Sequence, residues 1–192
     1  MTTHGVLKLD QVAAKNVDSY IRSAVCADDL DNGWVVYLSG KSTTTGQSEV
    51  WTAVKPATAG GGSGLTGLWM VGAPENVVTT SGSNYYRGLN SDPRNFYTIG
   101  TYVTDIYKPQ LGDIITMTDY SLCGTYIAGT TTHIAATNGT TGTSGGYTLL
   151  WVNSVNAAVL CYKLLSATYI SIGTGAIDNQ RVTAYQFECV AL

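Results

Sequence analysis

Arg181-Val-Thr-Ala-Tyr-Gln-Phe-Glu-Cys-Val190 decides the fold class of this chain. In an extended backbone Val182, Ala184, Gln186 and Glu188 leave on one side, and Arg181, Thr183, Tyr185, Phe187 and Cys189 on the other. A period of two sustained over such a stretch marks a β-strand. Which face is buried stays open at this level.

Working outward, short β-type runs separated by turn residues recur along the chain. They are Val6-Leu-Lys-Leu9, Tyr20-Ile-Arg-Ser-Ala-Val25, Trp34-Val-Val-Tyr-Leu38, Glu49-Val-Trp-Thr-Ala-Val54 and Leu68-Trp-Met-Val71. Further on come Tyr102-Val-Thr-Asp-Ile106, Asp113-Ile-Ile-Thr-Met-Thr118, Tyr147-Thr-Leu-Leu-Trp151, residues 159–165 and Tyr169-Ile-Ser-Ile172. About ten short strands with frequent turns predict an all-β sandwich or barrel. Asn32-Gly33 and Pro109-Gln-Leu-Gly112 supply turn chemistry, because Asn and Gly tolerate positive φ and Pro presets its own. Residues 40–48, 57–67 and 129–146 read as long Gly/Ser/Thr loops. Residues 1–18 are expected to form an N-terminal arm or a short helix, with Asp10 as its N-cap, and residues 19–192 a single β-rich domain.

Composition agrees. Of 192 residues 44% are hydrophobic, an ordinary share, whereas only 12% are charged, about half the usual level. Tyr 13 with plentiful Val and Thr favours strands over helices. Lys+Arg 10 are spread thinly in a chain of net charge −3, so the basic cluster that displaces phosphate counterions is missing and no nucleic-acid partner is expected. No apolar run reaches the ~18 residues of a membrane-spanning helix, and no secretory signal is visible, so neither a membrane nor a secreted location is expected. Cys26, Cys123, Cys161 and Cys189 lie too far apart for a paired zinc motif, and three of them sit among apolar neighbours as small buried hydrophobes.

Three motifs resemble catalytic or binding signatures and fail on context. Gly62-Ser-Gly-Leu-Thr-Gly67 has the dinucleotide spacing but opens onto a strand, not a helix. Gly142-Thr-Ser-Gly-Gly146 matches a nucleophile elbow, yet His4 and His133 both precede it, and His133 reads as a solvated loop residue. Asp28-Asp-Leu-Asp-Asn-Gly33 puts Leu30 at the third position and Ser39 at the twelfth, where a calcium loop needs an oxygen ligand and a glutamate, which leaves a turn. No catalytic residue, metal site or cofactor is expected, and the chain reads as a non-enzyme.

Asn84-Tyr-Tyr-Arg-Gly-Leu-Asn-Ser-Asp-Pro-Arg-Asn-Phe-Tyr97 is different, because Tyr85, Tyr86, Phe96 and Tyr97 sit with Arg87 and Arg94 in one short stretch. Tyr and Arg dominate the centres of protein interfaces. A core role for the aromatics, with each arginine paired nearby, competes with that reading. Trp34, Trp51, Trp69 and Trp151 would suit a sugar platform but lie inside strand patterns, which favours a core.

Several stretches together are similar to the small capsid decoration (cement) proteins of tailed bacteriophages. They are Asp29-Leu-Asp-Asn-Gly-Trp-Val-Val-Tyr-Leu38, Leu65-Thr-Gly-Leu-Trp-Met-Val71, Tyr86-Arg-Gly-Leu-Asn-Ser-Asp-Pro-Arg-Asn-Phe96, Tyr107-Lys-Pro-Gln-Leu-Gly-Asp-Ile-Ile-Thr116 and residues 169–185. The resemblance implies a structural virion protein, made in the host cytoplasm, that binds the outer capsid surface and ties major capsid protein subunits together. It also implies self-association on the capsid as a dimer or trimer. Candidate contacts are Val6, Leu7, Lys8 and Leu9, as an arm adding a strand to a neighbour, with Tyr85, Tyr86, Arg87, Arg94, Phe96 and Tyr97. On that reading, removing residues 2–16 abolishes capsid binding and leaves the β fold intact. The alternative is a carbohydrate-binding head-fibre or adhesion module touching the host surface.

Overall fold

The computed structural model describes residues 4–8, 20–56, 67–75, 78–81, 84–87, 93–136, 147–155, 159–172 and 180–192. Its strands are β1 (Ile21–Val25), β2 (Val35–Lys41), β3 (Trp51–Val54), β4 (Trp69–Val71), β5 (Val78–Ser81), β6 (Asn84–Arg87) and β7 (Val103–Tyr107). Then follow β8 (Ile114–Thr118), β9 (Leu122–Cys123), β10 (His133–Ala135), β11 (Leu149–Val152), β12 (Cys161–Ile172) and β13 (Gln180–Ala191). Strands β1, β3, β2, β4 and β7 close into a barrel in that order. Six more form a sheet in the order β8-β13-β12-β10-β11-β9, and β5 with β6 makes a separate two-stranded ribbon. The fold is all-β, as the alternating runs predict.

Strand β4, the start of β2 and the end of β7 are apolar on both faces, and packing explains why. Ala24, Val36, Ala53, Trp69, Val71 and Ile106 turn inward and fill the barrel. Their chain neighbours Val35, Met70 and Tyr107 turn outward and join a second core with Ile115, Met117, Leu149, Trp151, Tyr162 and Phe187 of the six-stranded sheet. At β4, the start of β2 and the end of β7 the barrel wall is thus covered inside and out. All three residues of β4 are buried as a result. A strand enclosed on both faces loses the polar half of its alternation.

The decisive stretch lies in β13, paired with β12 on one side and β8 on the other. Tyr185, Phe187 and Cys189 form its core face, on which Trp151 meets Tyr185 edge-on with ring centroids 5.0 Å apart. Ala184 is buried too, on the opposite face, where Val6 and Ile170 cover it. The two runs read as residues 159–165 and 169–172 prove to be one strand, β12, whose pairing with β13 shifts register between Leu164 and Ser166. That irregularity interrupts the period of two, so one strand reads as two. Strands β5, β6, β9 and β10, of two to four residues each, fall outside the runs that the sequence marks as strands.

The Asn32-Gly33 turn forms as expected. Gly33 has φ +87°, and its N–H bonds the Val71 carbonyl at 2.9 Å. The Asn32 amide clamps Ala73, donating to its carbonyl and accepting from its N–H, each at 2.9 Å. Of residues 1–18, read as an arm or short helix, 1–3 and 9–18 lie outside the described residues, as do most of the loops 57–67 and 129–146.

Candidate interaction surface

The turn at residues 28–33 acts as a hub, a role its sequence did not announce. The Asp28 carboxylate accepts the Tyr147 hydroxyl at 2.9 Å and pairs with Lys55 at 3.3 Å. The Tyr147 hydrogen bond and, after it, Lys55 hold the Asp28 carboxyl below its ordinary value. Burial, with Cys26 and Asp28 beside it, drives the Tyr147 phenol well above its own. Asp29 accepts the Gly100 N–H at 2.8 Å, while Asp31 accepts the Gly5 N–H at 3.2 Å and lies 2.8 Å from His4 Nδ1. The three carboxylates that looked like a broken calcium loop therefore point to three different parts of the chain. Among the described residues no group of three His, Cys, Asp or Glu side chains is placed to hold a metal.

Two of the segments singled out in the sequence meet at this hub. The His4 N–H bonds the Arg94 carbonyl at 3.0 Å, and the His4 ring stacks on Tyr97 with centroids 4.6 Å apart. Arg94 lies in a 3₁₀ turn (Pro93–Asn95), and Arg94, Phe96 and Tyr97 are all half-buried. From there the chain enters a turn fastened on every side. Leu30 and Thr98 exchange backbone bonds of 2.9 and 2.8 Å, and the Thr101 N–H reaches the Cys26 carbonyl at 2.7 Å. A side chain at Gly100 would strike the Ala27 carbonyl, so the close approach demands glycine. Thr101 itself sits at φ +74°, a conformation that costs a non-glycine residue ~1–2 kcal/mol.

This strained turn carries apolar side chains into solvent. Ile99 is 52% exposed, Tyr102 65% and Val103 47%. Sequence reading missed all three as contacts, because nothing distinguishes an exposed Ile or Val from a buried one before the chain is folded.

The arm residues need correcting. Val6 and Leu7 are 3% and 1% exposed, enclosed by their own chain. Leu7 bridges Met117, the Thr118 N–H bonds the Val6 carbonyl at 3.0 Å, and the Lys8 N–H bonds the Thr116 carbonyl at 2.8 Å. The segment thus bridges to the edge strand β8 of the same molecule, and Val6 and Leu7 present no surface to a partner. Lys8 is half-buried, and Leu9 lies outside the described residues. Tyr85, Tyr86 and Arg87 fall on β6, paired with Thr80, Thr79 and Val78, and their side chains are outside the described set.

His133 also departs from expectation, being buried in β10 and not solvated in a loop. Cys26, Cys161 and Cys189 are buried, as their apolar neighbours suggest. Burial, with Asp113 nearby, pushes the Cys189 thiol up to about 12. Trp69 and Trp151 are core residues, as their strand patterns imply, while Trp34 stacks on Tyr147 with centroids 5.5 Å apart. Trp51 is half-buried between Arg22 and Lys41.

Comparison with known proteins gives no match, whether with family models, curated proteins or solved structures.

Proposed function

We propose that this chain is a structural virion protein that binds the outer surface of a tailed-phage capsid and braces neighbouring major capsid protein subunits. The observation that carries the reading furthest is the apolar ridge of Ile99, Tyr102 and Val103, pinned by backbone and carboxylate hydrogen bonds to the hub. An apolar surface already rigid before contact loses little conformational entropy on binding, and clustered exposed apolar side chains mark interaction sites. Half-buried Arg94, Phe96 and Tyr97 lie just before it in the chain. The sequence resemblance to decoration proteins supplies the identity of the partner. A weakly charged chain suits contacts that must survive changes of salt, since few ion pairs are there to be screened. Many copies on a lattice add avidity, so each interface can be of standard size, about 1,600 Å².

Cryo-electron microscopy of particles with and without the protein tests this. Ordered density at regular lattice positions is expected, with the ridge against the shell and heads that rupture more easily in its absence. Combined Ile99→Ser and Tyr102→Ser changes should weaken binding to bare capsids at least about tenfold, the loss of two buried anchors. Particles that never carry the protein and are equally robust overturn the reading. Glycan binding would then be the reading to pursue.

A further inference from the structure

Opposite the hub, the other mouth of the barrel holds a cation that no acceptor among the described residues engages. Arg22 of β1 places its guanidinium carbon 4.3 Å from the centre of the Trp51 ring and 4.6 Å from that of Trp69. Lys41, which ends β2 and pairs across the strands with Trp51, brings its ammonium 4.6 Å from the same Trp51 ring. Neither cation has a carboxylate of any described residue within ion-pair distance. Lys41 donates to the Glu49 backbone carbonyl at 2.9 Å, and Arg22 forms no side-chain hydrogen bond with a described residue. Two like charges thus gather at one indole, in a chain of net charge −3.

We propose that this mouth is a carboxylate-binding site, and that its ligand is an acidic segment of a partner protein. The indoles stabilise and orient a half-buried guanidinium. No described residue accepts from its N–H donors, a fork that matches a carboxylate in two parallel bonds. A sugar acid is the poorer fit. Stacking a pyranose needs an open ring face, whereas Trp51 is engaged by two cations and Trp69 is buried. An Asp or Glu side chain on an extended backbone needs only the cations. The site is independent of the capsid reading, because it lies at the far end of the barrel from the apolar ridge.

Fluorescence anisotropy of labelled hexaglutamate on the full chain at low ionic strength provides the test, with hexaglutamine as the neutral control. Saturable binding of hexaglutamate alone is expected, weakening with added salt and shifting the Trp51 indole signal. Arg22→Gln should weaken it at least about tenfold and Lys41→Gln about threefold, in line with charge-assisted bonds and a single exposed charge respectively. Lys41 is exposed, so its variant decides the matter should Arg22→Gln not fold. Arg181→Gln removes an exposed cation beside Tyr169, far along the β12–β13 hairpin, and should leave binding unchanged. Absence of saturable binding, equal losses from Arg181→Gln, or preference for a uronic-acid oligosaccharide over hexaglutamate overturns the proposal. A purely structural cation–π stack would lower thermal stability in Arg22→Gln while no peptide binds at all.

Discussion

At the scale of single residues, burial decides what a polar side chain does in this protein. His133 sits in β10 opposite Lys163 of β12 and Val152 of β11, with the Thr132 hydroxyl 2.8 Å from its Nδ1. Burial first, and the Lys163 charge second, hold its folded-state pKa below the ordinary 6.5. The unfolded chain therefore takes up a proton where the folded chain resists it. The neutral-His stability is present above the ordinary value and is lost as pH falls from there to the depressed one. Asp113, raised by burial, acts with the opposite sign in the more acid range. Urea unfolding at pH 7.5 and 5.5 should show a larger loss of stability for the native chain than for His133→Asn, and equal losses would contradict the assignment. The same residue shows the limit of local reading. Thr-rich surroundings suggest solvent, and only the two neighbouring strands remove it.

At the scale of elements, the N-terminal segment is the instructive case. Its run of Val6, Leu7, Lys8 and Leu9 reads as strand-forming and in the structure makes an isolated bridge at Leu7, but a pairing partner is not written in a segment's own residues. Here the partner is β8, and Gly5 fits only because no side chain stands between it and Ser121. The segment is part of the core: Leu7 packs with the residues that join sheet to barrel, and Val6 covers Ala184. Leu7→Ala should therefore cost about 3 kcal/mol in chemical denaturation, as for other buried leucines. Leu165→Ala, on a side chain 43% exposed, should change stability by less than about 0.5 kcal/mol. A negligible loss from Leu7→Ala would mean that the segment is detachable. Removing residues 2–16 is now expected to damage the fold itself, so loss of capsid binding in such a deletion would not identify a contact.

At the scale of the whole molecule, one core couples the two sheets. Val35, Met70 and Tyr107 from the barrel strands are buried with Met117, Leu149 and Phe187 from the six-stranded sheet, so neither can unfold without exposing the other's apolar face. Urea unfolding should give coincident transitions by tryptophan emission and far-ultraviolet circular dichroism. Trp34, Trp51 and Trp69 report on the barrel and Trp151 on the sheet, so a split into two transitions would show the two behaving separately. The ends of the barrel are chemically distinct. One carries the carboxylate hub and the apolar ridge, the other two cations on an indole.

From sequence alone come the all-β class, the Asn32-Gly33 turn and the strand character of β13, because turn preferences and the period of two are local properties of the backbone. Low charge and the burial of Cys26, Cys161 and Cys189 follow from composition and immediate neighbours. Tertiary structure alone decided closure of the barrel, the docking of Val6 and Leu7 on their own β8, the turn that exposes Ile99, Tyr102 and Val103, and the meeting of Arg22 with Trp51 and Trp69. Each brings together residues far apart in the chain, and what joins them is the covering of apolar faces by whichever strand packs there, a property of the assembled molecule that no single segment carries.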